Sequence, residues 1–241
     1  MKVSDKINKI INRLPKGYVF TYTDFYAEVK AKEAIIKALN RMAAKGKIVK
    51  LAKGKYYKPE TTPFGNLQPT QFQVVKDLLE ENGKAVGYLT GYSIYNLLGL
   101  TTQISNTIQI GKNQIRPNFK RERYTISFIR QKNIITKENI PLLQILDSIR
   151  YIKKIPDATI ESSCRRLLSI LKELPENNKA TLIRLSLKYS PATKALLGAM
   201  LDTFQQDSLT ESLYNSINHI TKYRLPGAVK VLSTADKWNI V

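Results

Sequence analysis

Residues 34–58 read AIIKALNRMAAKGKIVKLAKGKYYK, and this stretch decides the fold of the first part of the chain. Up to Ala44 the apolar residues recur at helical spacing. Ile35, Ala38, Leu39 and Met42 fall on one face of a helix predicted from about Ala31 to Lys45, and Gly46 stops it. The period then changes. Ile48, Val49, Leu51, Tyr56 and Tyr57 lie in two short β-prone runs, and Ala52-Lys53-Gly54 between them reads as a hairpin loop.

Upstream, Ser4 is a good N-cap with Asp5 in the first turn, and Ile7, Ile10, Ile11 and Leu14 mark a first helix that Pro15 and Gly17 end. Tyr18-Val19-Phe20 is extended. Thr23 then caps a short helix through Asp24, Phe25 and Val29. Helix, short helix, helix, hairpin is the order of a winged helix-turn-helix, so residues 1–60 are expected to form one. Residues 61–70, with Thr61, Thr62, Pro63, Gly65, Asn66 and Pro69, read as a linker.

Residues 71–241 are expected to form a larger domain, first α/β and then helical. Thr70 to Glu81 reads as a helix ended by Asn82-Gly83, and a further helix is predicted from about Tyr92 to Leu98. Short strands fall within about 107–130, at Thr107–Ile110 and Tyr124–Ile129, with Gly111, Asn113 and Pro117 in a hairpin-like connection. From about Lys137 the pattern is helical nearly to the end. The expected class is α+β, mostly helical.

The charge pattern points to a partner. The chain carries +20, and residues 1–66 hold +10 of it. A field of that sign attracts polyanions. Lys45, Lys47, Lys50, Lys53, Lys55 and Lys58 put six positive charges into fourteen residues without an acid among them. A solvated hairpin ordinarily mixes signs, whereas one that lies along a phosphate backbone needs one sign only. The helix before it presents Glu33, Lys37, Asn40, Arg41 and Ala44 opposite its apolar face, with Lys30 and Lys32 at its N-terminal end. Asn pairs bidentately with adenine and Arg with guanine. Asn40 and Arg41 are therefore the candidate base readers, with Lys32 and Lys37 suited to base or phosphate. Double-stranded DNA is the expected partner. A second basic segment, Lys112, Arg116, Lys120, Arg121, Arg123, Arg130 and Lys132, faces only Glu122 within 21 residues. It is a candidate second nucleic-acid surface, for DNA or RNA, or else a solvated loop paired to acids elsewhere.

The run Ala38-Leu39-Asn40-Arg41-Met42 through Gly46 and Ile48, followed by Leu51-Ala52-Lys53-Gly54-Lys55-Tyr56-Tyr57, resembles the N-terminal region of the AbiEi family. These are the antitoxins of type IV abortive-infection toxin–antitoxin systems. Lys53-Gly54-Lys55-Tyr56 fills the slot of that family's R-G-x-Y wing, with Lys in place of the more usual Arg. The resemblance is good over residues 1–60 and looser up to about Ile129, where GYLTGYSIYNLLGLTTQ looks like the start of the family's second domain. It implies binding to inverted repeats in the chain's own promoter, repression, and counteraction of a nucleotidyltransferase-like toxin without a stable complex between the two.

Catalytic chemistry has little to stand on. The phosphate-loop and dinucleotide-binding glycine motifs are missing from the sequence. His219 is a lone histidine on a predicted helix, and Cys164 lines up with Ile160, Leu167 and Leu171 as a buried, inert thiol. Asp147, Asp157 and Asp202 fall on predicted helices or their starts, where solvation or capping accounts for them. The expectation is a protein without metal or cofactor that is not an enzyme. A single cysteine fits a reducing cytoplasm, and no stretch approaches the ~20 apolar residues that span a bilayer. Two rivals stay open: a stand-alone winged-helix regulator with a ligand-sensing or dimerising second domain, and a nuclease or RNA-modifying enzyme that grips substrate with the wing.

Overall fold

The computed structural model describes residues 2–204 and 207–241. The fold is α+β, and the chain divides into two compact units. The first comprises Met1–Asp77 and the short segment Lys120–Arg123; the second comprises Leu78–Phe119 and Tyr124–Val241.

In the first unit, α1 (Val3–Arg13) buries Ile7 and Ile11. β1 (Val19–Thr21) follows, and then a 3₁₀ turn at Tyr22–Phe25. The expected α-helix there is this single turn. Its cap is Thr21, two residues before the expected Thr23: the Thr21 side chain accepts from the Thr23 backbone while Asp24 accepts from the Thr21 N–H at 2.8 Å. Helix α2 (Lys32–Ala44) buries Ile35, Ala38, Leu39 and Met42, the face expected from the periodicity. Strands β2 (Val49–Ala52) and β3 (Lys55–Tyr57) complete a three-stranded sheet in the order β1-β3-β2. Phe20, Phe25, Leu39, Ile48 and Tyr56 meet α1 in one core. Helix, strand, turn, helix and hairpin around such a core are the winged-helix arrangement.

The expected linker is partly structured. β4 (Glu60–Thr62) and β5 (Gly65–Leu67) pair as an antiparallel hairpin. Helix α3 (Gln71–Leu79) stops two residues earlier than predicted. Asn82 and Gly83, at φ 50° and 75°, form the two-residue turn that joins β6 (Glu80–Glu81) to β7 (Lys84–Ala85). Asn-Gly favours this left-handed turn, so the pair is a hairpin signal and not a helix stop.

The second unit holds β8 (Gly87–Thr90), β9 (Thr107–Lys112), β10 (Phe119–Arg121, whose last two residues belong to the first unit) and β11 (Tyr124–Arg130), in the sheet order β10-β11-β9-β8. β9 and β11 run parallel, with Ile108 opposite Ile126. A tight hairpin cannot join parallel neighbours. The expected hairpin-like connection is instead a crossover whose returning half forms β10. The predicted Tyr92–Leu98 helix is a 3₁₀ turn at Gly91–Ser93 followed by turns.

Helices α4 (Ile140–Arg150), α5 (Ile160–Glu173), α6 (Glu176–Ser186), α7 (Pro191–Asp202) and α8 (Asp207–Tyr214) follow. Within that expected helical stretch, Gln205 and Gln206 lie outside the described residues. α7 is buried along Thr193–Asp202 and forms the centre of the core. After Tyr214 the chain runs in turns, with a 3₁₀ turn at Asp236–Trp238, so the helical pattern ends earlier than expected. Its apolar residues nevertheless reach the core: Trp238 is fully buried, and its indole N–H donates to Asp202 Oδ2 at 2.8 Å. No helix among the described residues is long and apolar enough to cross a membrane.

Candidate nucleic-acid interface

The polar face of α2 is open. Lys32, Glu33, Lys37, Asn40, Arg41 and Ala44 are exposed, as is Lys30 just before the helix. The packing that buries Ile35 and Leu39 turns Asn40 and Arg41 outward, since neighbouring helical residues point about 100° apart. Lys32 sits with its ammonium 5.0 Å from the Tyr22 ring centroid.

The hairpin is tied to this face. The Tyr56 hydroxyl donates to Asn40 Oδ1 at 2.7 Å. Lys50 is the cross-strand partner of Tyr56, so the two side chains stand on the same side of the sheet. Lys45, Lys47, Lys50 and Lys53 are exposed. Gly54, at φ +73°, supplies the backbone turn at the tip. The bond from Tyr56 occupies one lone pair of Asn40 Oδ1, so the second lone pair and the amide N–H groups are what Asn40 can offer a base edge.

Two of the expected phosphate contacts are engaged inside the protein. Lys58 donates to the carbonyls of Asn12 and Leu14 at 2.8 and 2.9 Å, which completes the C-terminus of α1. Lys55 forms an ion pair with Asp77 of α3. The sequence alone presents both as free charges, because their partners are distant along the chain.

Part of the second basic segment takes the alternative left open for it, pairing with groups elsewhere in the fold. Arg121 forks onto Asp77 at 2.7 and 3.2 Å and donates to the Val74 carbonyl at 2.7 Å; its side chain is only 9% exposed. Burial pushes the Asp77 carboxyl up, but hydrogen bonds from Arg121 and Lys55 and their charges outweigh it and hold the group below its ordinary value. Arg116 covers the stacked rings of Phe119 and Phe128, at 4.7 and 5.3 Å. Lys112 donates to the Leu78 carbonyl at 3.3 Å. Lys120 and Arg123 are exposed and belong to the first unit, whereas Arg130 and Lys132 are exposed in the second.

Two carboxylates expected to be solvated or capping are buried. Asp147 is fully buried and accepts from Tyr88, Thr90 and Tyr189 at 2.7, 2.8 and 2.9 Å. Desolvation raises its carboxyl above the usual range, against the lowering effect of those hydroxyls. Asp202 is buried against Trp238 and Lys237. Asp157 is exposed and meets the Gln103 amide. Cys164 is buried, and burial pushes its thiol up to about 12. His219 lies in a turn and not on a helix, its ring 4.2 Å from that of Tyr214. Among the described residues, no three His, Cys, Asp or Glu side chains come together as a metal-binding group.

The class that this architecture defines is an α+β protein with a winged-helix first unit. The chain belongs to the family of unknown function DUF6088, whose model matches residues 6–179. Among solved structures it is similar to the RV2827C protein from Mycobacterium tuberculosis, with a TM-score of 0.57 and 13% identity, covering 93% of this chain and 85% of that one. At that identity the likeness is one of fold. No curated protein matches the chain.

Proposed function

We propose that this chain is a cytoplasmic, non-catalytic protein that binds double-stranded DNA through its first unit. Helix α2 enters the major groove with Asn40 and Arg41 toward base edges, and the β2–β3 hairpin follows the phosphate backbone. The observation that carries this reading is the 2.7 Å bond from Tyr56 to Asn40, which fixes the lysine hairpin beside the open polar face of α2. Lys30, Lys32, Lys37, Lys45, Lys47, Lys50 and Lys53 supply the surrounding positive charge.

The test is duplex binding by fluorescence anisotropy, after selection of a preferred sequence from random duplexes. Wild-type protein binds the selected duplex with an affinity that falls steeply with salt. Equal affinity for the selected duplex and for scrambled duplexes would remove base reading from the proposal, and salt-independent binding would remove the wing.

The wider role we propose is that of an antitoxin, which represses its own promoter and counteracts a nucleotidyltransferase-like toxin encoded beside it. Its support is the resemblance of residues 1–60 to the AbiEi family. Co-expression tests it directly: the neighbouring gene arrests growth alone and not with this chain. A neighbouring gene that is harmless alone sinks this role while leaving DNA binding intact.

A further inference from the structure

The second unit contains a concave, strongly basic surface, of which the sequence pattern singles out only Arg130 and Lys132. Three cavities adjoin there. The largest, about 480 Å³, is lined by Arg150, Lys153 and Lys154 from the end of α4 and the turn after it, and by Lys222 and Arg224 from the C-terminal segment. A second, about 340 Å³, is lined by Arg130, Lys132, Arg150 and Lys188. A third, about 310 Å³, is lined by Tyr92, Tyr95, Tyr151 and Lys154. Arg150 and Ser190 are common to the first two, and Tyr151 and Lys154 to the first and third, so neighbouring cavities share walls and together make up one trough.

The charge of this trough is one-sided. No acid lines any of the three cavities. All eight cations are exposed, and none of them forms a salt bridge among the described residues. The carboxylate behind the wall, Asp147, attracts Arg150 but spends its hydrogen bonds on Tyr88, Thr90 and Tyr189. The fold holds these like charges together at a cost in repulsion. Residues 222–225 show how: Tyr223 N–H bonds the Asn239 carbonyl at 2.8 Å and Leu225 N–H that of Val241 at 2.7 Å. Tyr223 and Leu225 are buried by this pairing, while Lys222 and Arg224 alternate outward.

Two further features suit a ligand with both phosphates and flat rings. Tyr151 lies where two cavities join, with the Arg150 guanidinium 4.9 Å and the Lys154 ammonium 5.4 Å from its ring centroid. Rings and guanidinium planes are the surfaces on which unpaired bases stack. In addition, the buried oxygens of Ser127 and Tyr223, both of them lining residues, have no hydrogen-bond partner among the described residues.

We propose that this trough binds a single strand of nucleic acid, its phosphates on Arg150 and the surrounding lysines and its bases unstacked into the cavities beside Tyr151. A duplex keeps its bases inside and presents a convex rod, which a chain of cavities of nucleotide size does not match. An anionic membrane surface is flat and gives the cavities nothing to hold. This site shares no residue with the proposed duplex-binding face, and neither reading depends on the other.

The experiment uses the full chain and fluorescein-labelled ten-nucleotide oligo(rA) and oligo(dA), with a duplex measured in parallel. Replacing both Arg150 and Lys154 by Gln should weaken single-strand binding about tenfold or more and reduce its salt dependence, while duplex affinity stays within about twofold. Tyr151→Leu should weaken single-strand binding about tenfold while Tyr151→Phe retains it, because the aromatic face and not the hydroxyl is at work. Removing Lys50 and Lys53 should do the converse, lowering duplex affinity and sparing the single strand. Lys188→Gln with Lys222→Gln provides a second charge-removing pair on different elements, in case the first impairs folding. Preference between the two oligonucleotides would identify RNA or DNA as the natural strand. The proposal is overturned if both charge-removing pairs bind oligonucleotides like wild type, if the Lys50 and Lys53 variant loses both ligands together, or if phosphatidylserine vesicles outcompete the oligonucleotides.

Discussion

The Tyr56 hydroxyl lies 2.7 Å from Asn40 Oδ1, so a residue of the hairpin holds the amide that α2 presents to solvent. Such a bond contributes about 0.5–1.5 kcal/mol to stability and fixes the Asn40 rotamer besides. Tyr56→Phe keeps the ring that stacks on Phe20 at 6.5 Å and deletes only the hydroxyl. The variant should lose about 1 kcal/mol in urea denaturation. Its affinity for a selected duplex should fall more than its affinity for scrambled ones. Equal loss on both would mean that Asn40 does not read bases.

The hairpin lysines should separate into two classes. Lys50→Ala and Lys53→Ala remove exposed charges, and each should lower the slope of log affinity against log salt by about one per lost phosphate contact. Lys58→Ala removes a donor to the Asn12 and Leu14 carbonyls, and Lys55→Ala removes the partner of Asp77. Those two should leave the salt slope unchanged and lower the melting temperature instead. A matching drop in slope for all four would show that Lys55 and Lys58 reach DNA in spite of their contacts in the free protein.

This division marks the limit of what the sequence discloses. The buried stripe Ile35, Ala38, Leu39, Met42 and the change of period after Gly46 are local signals, and the structure agrees with both. The use of a charge is not local. Lys55 meets Asp77 and Arg121 meets Asp77 across 22 and 44 positions, so the same lysine pattern reads as free until the fold is known. Asp147 was hidden for the same reason, its hydroxyl partners lying 42 to 59 residues away. The trough in the second unit draws its cations from between Arg130 and Arg224, and no window of sequence holds enough of them to stand out.

Asp77 gives the first unit an acid-sensitive joint. Its carboxyl is held below its ordinary value, so its contribution is complete above the unfolded value and is lost as pH falls through the folded one. Wild-type protein should therefore lose stability below about pH 4 more steeply than Asp77→Asn, in which the ion pairs with Lys55 and Arg121 are already gone. Parallel acid titrations of the two, followed by circular dichroism, check this, and coincident transitions would refute it.

Gly198 sits on α7 where the only tryptophan packs: an added Cβ would overlap the six-membered ring of Trp238. The neighbour is a rigid ring, itself fixed by its bond to Asp202. Gly198→Ala should cost about 1–3 kcal/mol through overpacking. It should also change the fluorescence of Trp238, because the indole must move for the methyl to fit. A stability like that of wild type, with an unchanged emission maximum, would contradict this packing.

Asp147 behaves in the opposite sense to Asp77. Desolvation raises its carboxyl, so the folded protein holds a proton that the unfolded chain releases. The stability associated with this group is therefore greatest at low pH, and it declines as pH rises from the unfolded value of about 3.9 through the higher folded value. Asp147→Asn should remove that decline, giving urea midpoints that differ less than those of wild type between about pH 4.5 and about pH 7.5. Asp147→Ala should be worse at either pH, at a cost on the order of 3 kcal/mol, because Tyr88, Thr90 and Tyr189 all lose their acceptor. An alanine variant as stable as the asparagine one would show that the three hydroxyls are satisfied by other means, and the network would then have no claim to hold the wall of the basic trough.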